Sequence, residues 1–561
     1  MKIFFLLLSL FFTLHASQNI SDAELKKMIG RMLIVGFDTQ FVDENSQIVK
    51  DMQQYDLGGV ILFDRFYSDR NKTKNISSPE QLRELTKELK HFSRKPLFIA
   101  VDQEGGRVAR LKPKYGFLEI ASAKALGSLP DKFAKEAYAK NAKMLRECGI
   151  NMNFAPVVDL AVNPKNRVIV GLERSYGKEP QKVAHYAGIM IDAQTKENVV
   201  SVLKHFPGHG SSLGDSHKGF VDISKTWSKK ELEPYKILLR EGKVDAIMTA
   251  HVFNKHLDTT YPATLSRKLN TKLLREQLGF HGVIISDDMQ MKAISAHYSL
   301  KEATTLAINA GVDILLFGNQ LAYNSTQEII NTIFTQVKNG AIPLKRIQEA
   351  NAKIANLHTK NAIIQKPILF TQKRIDMTKA YIKKHYGFDV KKIQITPKII
   401  VLHWTAEPSF DASYKRLYPE KLFSDRKDIA AASLLNVSSQ FLVARDGTIY
   451  QLMPDNWMAR HVIGLNYSSI GVENVGGEGN KKEDLTPAQI QANIHLVKYL
   501  KAKYPSIEYL IGHLEYREME KNPLWLEKDA GYRTKKADPG AKFMKAVRAG
   551  VKDLHLKLPN E

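Results

Sequence analysis

The fold of the first two thirds of the chain can be inferred from one stretch, Asn198-Val-Val-Ser-Val-Leu-Lys-His-Phe-Pro-Gly-His-Gly-Ser-Ser-Leu-Gly-Asp-Ser-His217. Its first six residues are an apolar, β-branched run that predicts a buried strand. The rest cannot form a helix, because a proline and three glycines interrupt it. This second part carries three histidines, a lysine and an aspartate, which is typical of a loop that holds the chemistry of an α/β enzyme. An ordinary solvated loop is the alternative.

Seven further apolar runs of strand length occur between residues 20 and 365, and helix-like amphipathic stretches separate them. Eight runs at this spacing predict an α/β fold, a (β/α)₈ TIM-type barrel of typical length. A doubly wound open sheet is the alternative. The runs cover residues 32–36, 59–63, 97–101, 151–155, 199–203, 246–250, 282–286 and 312–317.

Polar and charged residues follow most of these runs directly. Because the carboxyl ends of parallel barrel strands meet at one mouth, we expect these residues to line a single site. They are Asp64, Arg65, residues 102–110, Asp159, Lys204, His205, His251, Asp287 and Asp288.

Five blocks of this segment resemble, in order, the family 3 β-N-acetylglucosaminidases of the bacterial cell-wall recycling (NagZ) type. They are residues 100–110, 153–159, 174–176, 204–217 and 285–289. The resemblance implies that Asp287 is the nucleophile, that His217 is the general acid/base and that Asp215 orients His217. The adjacent Asp288 leaves the nucleophile open by one position. The resemblance assigns no cofactor to this half, and it implies sugar binding by Asp102, Arg110, Arg174, Lys204 and His205.

These residue types suit retaining glycoside hydrolysis. That reaction needs a carboxylate to trap the oxocarbenium-like centre and a proton donor for the leaving oxygen. Histidine titrates near neutrality and can serve both proton transfers. Asp215, two residues before His217, can fix its tautomer and favour its protonated form.

The second half of the chain changes to strands with its own set of polar residues. Runs at residues 399–402, 441–451 and 469–473 read as strands, 445–448 as a hairpin turn and 485–501 as an amphipathic helix. The polar set is His403, Glu473, His513 and Asp538. Two histidines and a carboxylate leave a fourth zinc position open, as in catalytic zinc sites, although isolated histidines are often structural.

Blocks at residues 402–405, 441–452, 470–473, 511–513 and 536–540 resemble the zinc N-acetylmuramoyl-L-alanine amidases of the AmpD and peptidoglycan-recognition type, over about residues 395–550. The resemblance implies a mixed α/β domain with a central β-sheet. It implies zinc ligands at His403, His513 and Asp538, an acid/base at Glu473, and Lys536 facing the oxyanion. His461 lies where the family has Trp-His-Ala-Gly, but its neighbours depart from that pattern and its role stays open.

Charge and the N-terminus indicate an exported protein. The formal net charge is +23, which favours binding to polyanions. The sequence has no basic run interleaved with aromatic residues, the pattern that would indicate a nucleic-acid-binding module. The acidic bacterial wall is therefore the expected partner. Residues 1–17 read as a signal peptide, with a membrane-anchored N-terminus as the alternative. Cys148 is the only cysteine, which excludes an intramolecular disulfide, and we expect it to be buried.

The sequence therefore predicts a bifunctional, exported peptidoglycan hydrolase, periplasmic or secreted. Its expected parts are a signal peptide at 1–17, a glycoside hydrolase barrel at 20–365, a connector packed beside the barrel at 366–395, and a zinc amidase domain at 396–555. The expected partners are peptidoglycan fragments or the sacculus, with no nucleic acid, no stable membrane insertion and a monomeric chain. The alternatives are a wall-binding protein with one active domain, and a chitooligosaccharide β-hexosaminidase.

Overall fold

The computed structural model of the chain describes residues 20–93 and 95–561. The signal peptide predicted for residues 1–17 lies outside the described residues. Within these two ranges, every helix is too short or too polar to cross a bilayer.

Eight parallel strands close into a barrel in chain order, which confirms the predicted fold. The first strand pairs with the eighth, so the doubly wound open sheet is excluded. Buried β-branched and aliphatic residues dominate these strands, as expected where both faces are covered. The strands are β1 Leu33–Gly36, β2 Gly59–Ile61, β3 Phe98–Val101, β4 Met152–Asn153, β5 Val200–Phe206, β6 Ala246–Thr249, β7 Val283–Asp288 and β8 Ile314–Phe317.

Helices surround the barrel, and several begin at a serine that caps the first turn. Ser78 accepts a hydrogen bond from the third residue of its helix, and Ser299 forms a reciprocal capping box with Glu302. The α-helices are α1 Asp22–Gly30, α2 Gln47–Tyr55, α3 Pro79–Phe92, α4 Ala123–Leu126, α5 Asp131–Glu147, α6 Pro180–Lys196, α7 Glu233–Arg240, α8 Lys292–Ser295, α9 Leu300–Ala310, α10 Thr326–Lys338 and α11 Leu344–Ala362. A π-helix covers Lys268–Gln277, and short 3₁₀ turns cover Pro113–Tyr115, Lys229–Leu232 and Ala263–Leu265.

The last barrel helix, α11, runs across the N-terminal end of the barrel. Arg346 at its start pairs with Asp313, the fully buried residue that precedes β8. Nearer its end, His358 stacks on Phe98, the first residue of β3, with ring centroids 3.7 Å apart. This helix therefore closes the end of the barrel opposite to the mouth where the polar residues gather.

The second domain is built on a six-stranded sheet in the order β14-β10-β13-β11-β12-β9. The β11–β12 pair is antiparallel and is joined through the predicted turn at residues 445–448, whereas the other pairs are parallel. This confirms the mixed α/β domain with a central sheet. The strands are β9 Ile364–Gln365, β10 Ile399–Trp404, β11 Phe441–Val443, β12 Ile449–Gln451, β13 Ser469–Asn474 and β14 Tyr509–Gly512.

Side chains alternate between the two faces of this sheet. On one face, Ile400 and Leu402 pack in a core with α15 and α16; on the other, Ile399 and Val401 pack in a core with α12. His403 continues the second set and so lies on the face away from α15, which itself packs against α11 of the barrel. The helices are α12 Gln372–Tyr386, α13 Phe410–Leu417, α14 Lys427–Ala430, α15 Pro487–Lys503 and α16 Ala541–Gly550, with 3₁₀ turns at Glu478–Asn480, His513–Lys521 and Lys552–Leu554.

The segment at 366–395, expected to pack beside the barrel as a connector, belongs instead to the second domain. Helix α12 buries Tyr381, Ile382 and Tyr386 in the core of that domain. Just before the segment, β9 forms the edge of the second sheet by pairing with β12. The expectation was wrong because the lysines of α12 mark only its exposed face, while its apolar side chains fill a core formed by residues far along the chain.

Candidate active sites

A cavity of about 1000 Å³ opens at the C-terminal end of the barrel. It brings together every glycosidase residue named from the sequence, because each follows or ends a parallel strand. The lining includes Asp102, Arg110, Arg174, Lys204, His205, Asp215, His217, Asp287 and Asp288.

Asp102 is held between two cations. Lys204 Nζ lies 2.8 Å from Asp102 Oδ1, and an Arg110 guanidinium nitrogen lies 3.1 Å from Oδ2. Burial alone would raise the pKa of Asp102, but the charges of Lys204 and Arg110 hold it below its usual range. The carboxylate is therefore ionised and suited to accept hydrogen bonds from sugar hydroxyls.

Glu104 is a residue of this site that sequence reasoning did not assign. Arg174 donates to both its carboxylate oxygens, at 2.8 and 2.7 Å, and Lys204 Nζ lies 2.7 Å from Oε1. Burial raises the pKa of Glu104, but the charges of Arg174 and Lys204 have a larger effect, so the pKa lies below its ordinary value. The signal was present in the sequence, since Glu104 follows Asp102 by two residues just beyond a strand and an extended chain would place both on one side.

His205 is fixed at the wall of the cavity by Asp159. Its Nδ1 lies 2.7 Å from Asp159 Oδ2, while Asp159 Oδ1 accepts from the backbone N–H of His209 at 2.8 Å. The other ring nitrogen, Nε2, lies 3.3 Å from Arg174. Asp159 therefore orients His205, a role that its position at a strand end did not reveal.

His217 and Asp215 form a pair on the loop at the edge of the cavity. His217 Nδ1 lies 2.9 Å from Asp215 Oδ1, and the His217 side chain is 45% exposed. Burial lowers the pKa of His217, but the hydrogen bond to Asp215 and the nearby charge of Asp287 raise it above its ordinary value. The ring is thus held protonated to higher pH than a free histidine, as a proton donor requires.

The two adjacent carboxyls, Asp287 and Asp288, have different environments at the end of β7. Burial raises the pKa of Asp287, but the charges of His251, His205 and His217 lower it below the ordinary value. Burial raises the pKa of Asp288 to about 6. Asp287 is therefore the carboxyl that is ionised across the neutral and mildly acidic range.

In the second domain, His403, His513 and Asp538 converge at the C-terminal ends of β10 and β14. Their ligand atoms lie within 4.8 Å of one another: the two Nδ1 atoms are 3.0 Å apart, and Asp538 Oδ2 lies 3.0 Å from His513 Nδ1. Two imidazole nitrogens that face each other across 3.0 Å beside a carboxylate suit a shared cation. The donor set of two nitrogens and one oxygen fits zinc and leaves a fourth position for water.

Glu473 and Lys536 line the same cavity, which has a volume of about 390 Å³. Glu473 Oε2 is buried and has no hydrogen-bond partner among the described residues. Burial raises the pKa of Glu473 to about 7. The charge of His403 lowers this pKa, and the negative charge of Asp538 raises it. An unpartnered buried carboxyl beside a metal site is suited to exchange protons with a bound water.

His461, whose role the sequence left open, is buried beside the cluster. Its Nδ1 lies 3.0 Å from His403 Nε2, and its Nε2 lies 3.1 Å from Ser469 Oγ. His461 therefore contacts His403 on the side of the ring that faces away from His513 and Asp538.

The barrel with its paired histidine and buried carboxylate, and the sheet with its histidine–aspartate cluster, define a two-domain hydrolase. A family model described as the glycosyl hydrolase family 3 N-terminal domain matches residues 24–357. A second, described as N-acetylmuramoyl-L-alanine amidase, matches residues 394–541. The chain belongs to glycosyl hydrolase family 3, and it carries an N-acetylmuramoyl-L-alanine amidase domain after the barrel.

Curated relatives match the barrel half. Beta-hexosaminidase A of Pseudoalteromonas piscicida is 32% identical over 335 residues, which are 55% of this chain and 54% of that protein. Beta-hexosaminidase of Nitrosomonas eutropha is 33% identical over 322 residues, 55% of this chain and 87% of that protein. The chain thus spans about half of the first relative and most of the second.

Solved structures of the same family share the fold. A family 3 β-N-acetylglucosaminidase from Paenibacillus superposes with a TM-score of 0.55 at 24% identity, over 87% of this chain and 84% of that one, and supports the fold alone. A family 3 glycosyl hydrolase from Mycobacterium smegmatis gives a TM-score of 0.50 at 26% identity, over 59% and 96%.

Proposed function

We propose that the chain is an exported peptidoglycan hydrolase with two activities. The barrel removes β-linked N-acetylglucosamine from muropeptides, and the second domain hydrolyses the amide between N-acetylmuramic acid and L-alanine. The observation that carries the proposal is that each domain has its own cavity lined by a full set of reactive groups. Both bonds occur in one polymer, peptidoglycan, which explains why the two domains are joined.

In the barrel, Asp287 attacks the anomeric carbon and forms a covalent glycosyl-enzyme. His217 gives its proton to the glycosidic oxygen, so the aglycone leaves as an alcohol. In the second step, His217 accepts a proton from water, the water oxygen bonds to the anomeric carbon, and the bond to Asp287 breaks. Because the centre is inverted twice, the configuration is retained. The lowered pKa of Asp287 and the raised pKa of His217 support these roles.

In the second domain, His403, His513 and Asp538 would hold zinc, which when bound lowers the pKa of a coordinated water and polarises the amide carbonyl. Glu473 takes the proton of the attacking water and delivers it to the leaving amine nitrogen. Lys536 faces the oxygen on which negative charge develops. Its place in the lining of the same cavity supports this role.

The test is the mass of the products. Purified full-length protein is incubated with a GlcNAc–MurNAc–peptide, and we expect free GlcNAc and free stem peptide. Release of only one product would show a wall-binding protein with a single active domain. Faster cleavage of chitooligosaccharides than of the muropeptide would instead favour a chitooligosaccharide hexosaminidase.

A further inference from the structure

Five basic side chains surround the opening of the barrel cavity. They are Arg65, Arg70, Lys165, Arg167 and Lys218, here called the cationic rim. Arg65 is half-buried, and the other four are exposed. They come from three separate loops, after β2, after β4 and after β5, so the folded barrel rather than a local charge run gathers them.

The cationic rim forms no ion pair with the part of the chain that the structure describes, although the charge of Lys218 helps to lower the pKa of Asp215. Within residues 20–93 and 95–561, none of the five side chains makes an ion pair or a side-chain hydrogen bond. The acidic residues that line the same cavity are engaged elsewhere: Asp64 with Lys112, Asp102 with Lys204 and Arg110, and Asp215 with His217. Among the described acidic residues that line the cavity, Asp287 and Asp288, at the end of β7, are the two that form no such pair.

The position of the rim assigns it to one side of the scissile bond. The sugar that is cleaved must reach Asp287, deep in the cavity, whereas the proton donor His217 is on the loop at its edge. The leaving group therefore extends from His217 toward the opening. Lys218 is the next residue in the chain, and all five rim cations line the cavity that the leaving group leaves through.

We propose that the cationic rim is a binding site for the carboxylates of an anionic aglycone. The chemical class is a muramyl saccharide that carries its lactyl carboxylate or the carboxylates of a stem peptide; a neutral chitooligosaccharide offers none. The inference rests on the proposed glycosidase function of the barrel and deepens it. Exposed cations attract such groups over several ångströms of water, so the effect depends on ionic strength.

The test compares two substrates with the same reacting sugar, GlcNAc–MurNAc–peptide and the neutral disaccharide chitobiose. The variant replaces Arg70, Arg167 and Lys218 by glutamine. Since each exposed ion pair contributes a few-fold at most, we expect kcat/KM for the muropeptide to fall roughly tenfold, mainly through KM. The value for chitobiose should change less than about twofold. For the unmodified protein, added salt should slow only the muropeptide.

A matched control replaces three exposed lysines that do not line the cavity, Lys132, Lys301 and Lys345, by glutamine, and should leave the ratio of the two substrates unchanged. Equal losses for both substrates in the rim variant, or no loss for either, would overturn the proposal. If the unmodified protein cleaves neither substrate, the proposed function fails instead. Calorimetry of both disaccharides with Asp287→Asn then still decides whether the rim prefers the anion.

An independent observation in the second domain concerns His461. With a neutral His461 ring, three contacts form one directed chain: His403 Nε2 donates to His461 Nδ1 at 3.0 Å, His461 Nε2 donates to Ser469 Oγ at 3.1 Å, and Ser469 Oγ donates to the Leu465 carbonyl at 2.8 Å. The carbonyl can only accept, so it sets the direction of the whole chain. Nε2 of His403 therefore carries the hydrogen, and its Nδ1 lone pair faces the metal cluster.

The geometry points to His461 as a positioning residue that fixes the tautomer and ring orientation of His403. Such partners of a metal ligand typically change metal affinity by 10–100-fold. The test measures zinc affinity by competition with a chromophoric chelator. We expect His461→Leu to weaken binding by about tenfold or more, and His461→Asn, whose amide oxygen can accept from His403, to restore most of it.

Ser469→Ala supplies a second variant that leaves both histidines in place. It should weaken zinc binding by a smaller factor, because His461 then lacks the acceptor that orients it. Thermal unfolding of each metal-free variant shows whether the domain is folded. Unchanged zinc affinity in a folded His461→Leu protein, or in Ser469→Ala if the leucine variant does not fold, would refute the positioning role.

Discussion

Replacing Asp215 by asparagine should shift the pH profile of the barrel activity in a defined direction. Asp215 raises the pKa of His217 through a 2.9 Å hydrogen bond. The alkaline limb of kcat/KM reports loss of the His217 proton, so removing the charge of Asp215 should move that limb to lower pH. The acidic limb, which reports protonation of Asp287, should stay where it is.

The size of the shift follows from the exposure of the pair. A charge-assisted hydrogen bond is worth about 1.5–3 kcal/mol when shielded from solvent. Here the side chains are 45% and 31% exposed, so water screens the interaction and about 0.5–1 kcal/mol remains. At 1.36 kcal/mol per pKa unit, the alkaline limb should move down by about 0.4–0.7 pH units.

The assay uses two leaving groups. A nitrophenyl glycoside leaves without protonation, whereas a disaccharide needs the proton of His217. Above the alkaline limb, Asp215→Asn should therefore slow the disaccharide by about 2–5-fold, as the pKa shift implies, and the nitrophenyl glycoside much less. Asp222→Asn is the matched control, because Asp222 is five residues past His217 and bonds only locally to Ser224. An unmoved alkaline limb, or equal losses on both leaving groups, would show that Asp215 does not act through His217.

Three further predictions follow from the same structure. Asp287→Asn should abolish GlcNAc release and leave amidase activity intact, and a slow fluorinated glycoside should label Asp287; labelling of Asp288 would reverse the assignment. Strong chelation should stop release of stem peptide while GlcNAc release continues, and Glu473→Gln should keep about one equivalent of zinc, measured by metal analysis, yet lose turnover. Asp313→Ala should destabilise the barrel by about 3–5 kcal/mol, seen as a lower Tm, because it leaves Arg275 and Arg346 without their buried partner; an unchanged Tm would contradict this.

The barrel could be predicted from the sequence because each of its strands is marked by residues that are adjacent in the chain. Each strand is a short apolar run, and the polar residues that follow it are brought to one mouth by the parallel arrangement itself. His403 and His513 likewise lie at the C-terminal ends of β10 and β14, and the structure shows that these two strands are adjacent in the sheet. The spacing between the apolar runs was sufficient to predict the barrel, because every connection returns the chain to the end of the barrel where the strands begin.

What could not be predicted depends on partners far apart in sequence. Glu104 is held in the site by a hydrogen bond from Arg174, 70 residues later, and by an ion pair with Lys204. Helix α12 has a lysine-rich sequence typical of an exposed connector, and only the core formed by much later residues reveals that Tyr381 is buried. The different environments of Asp287 and Asp288 could not be predicted either, since the sequence shows two identical neighbours.

The α11–α15 contact has a consequence for how the substrate is processed. Helix α11 covers the closed end of the barrel, α15 packs against it, and His403 lies on the face of the second sheet away from α15. The two cavities therefore face away from each other, and within residues 20–93 and 95–561 they share no lining residue. Under the proposed function, a fragment cut at one site must diffuse through solution to reach the other, so the two cuts can occur in either order. Both singly cut fragments should accumulate in solution, where any other enzyme can intercept them.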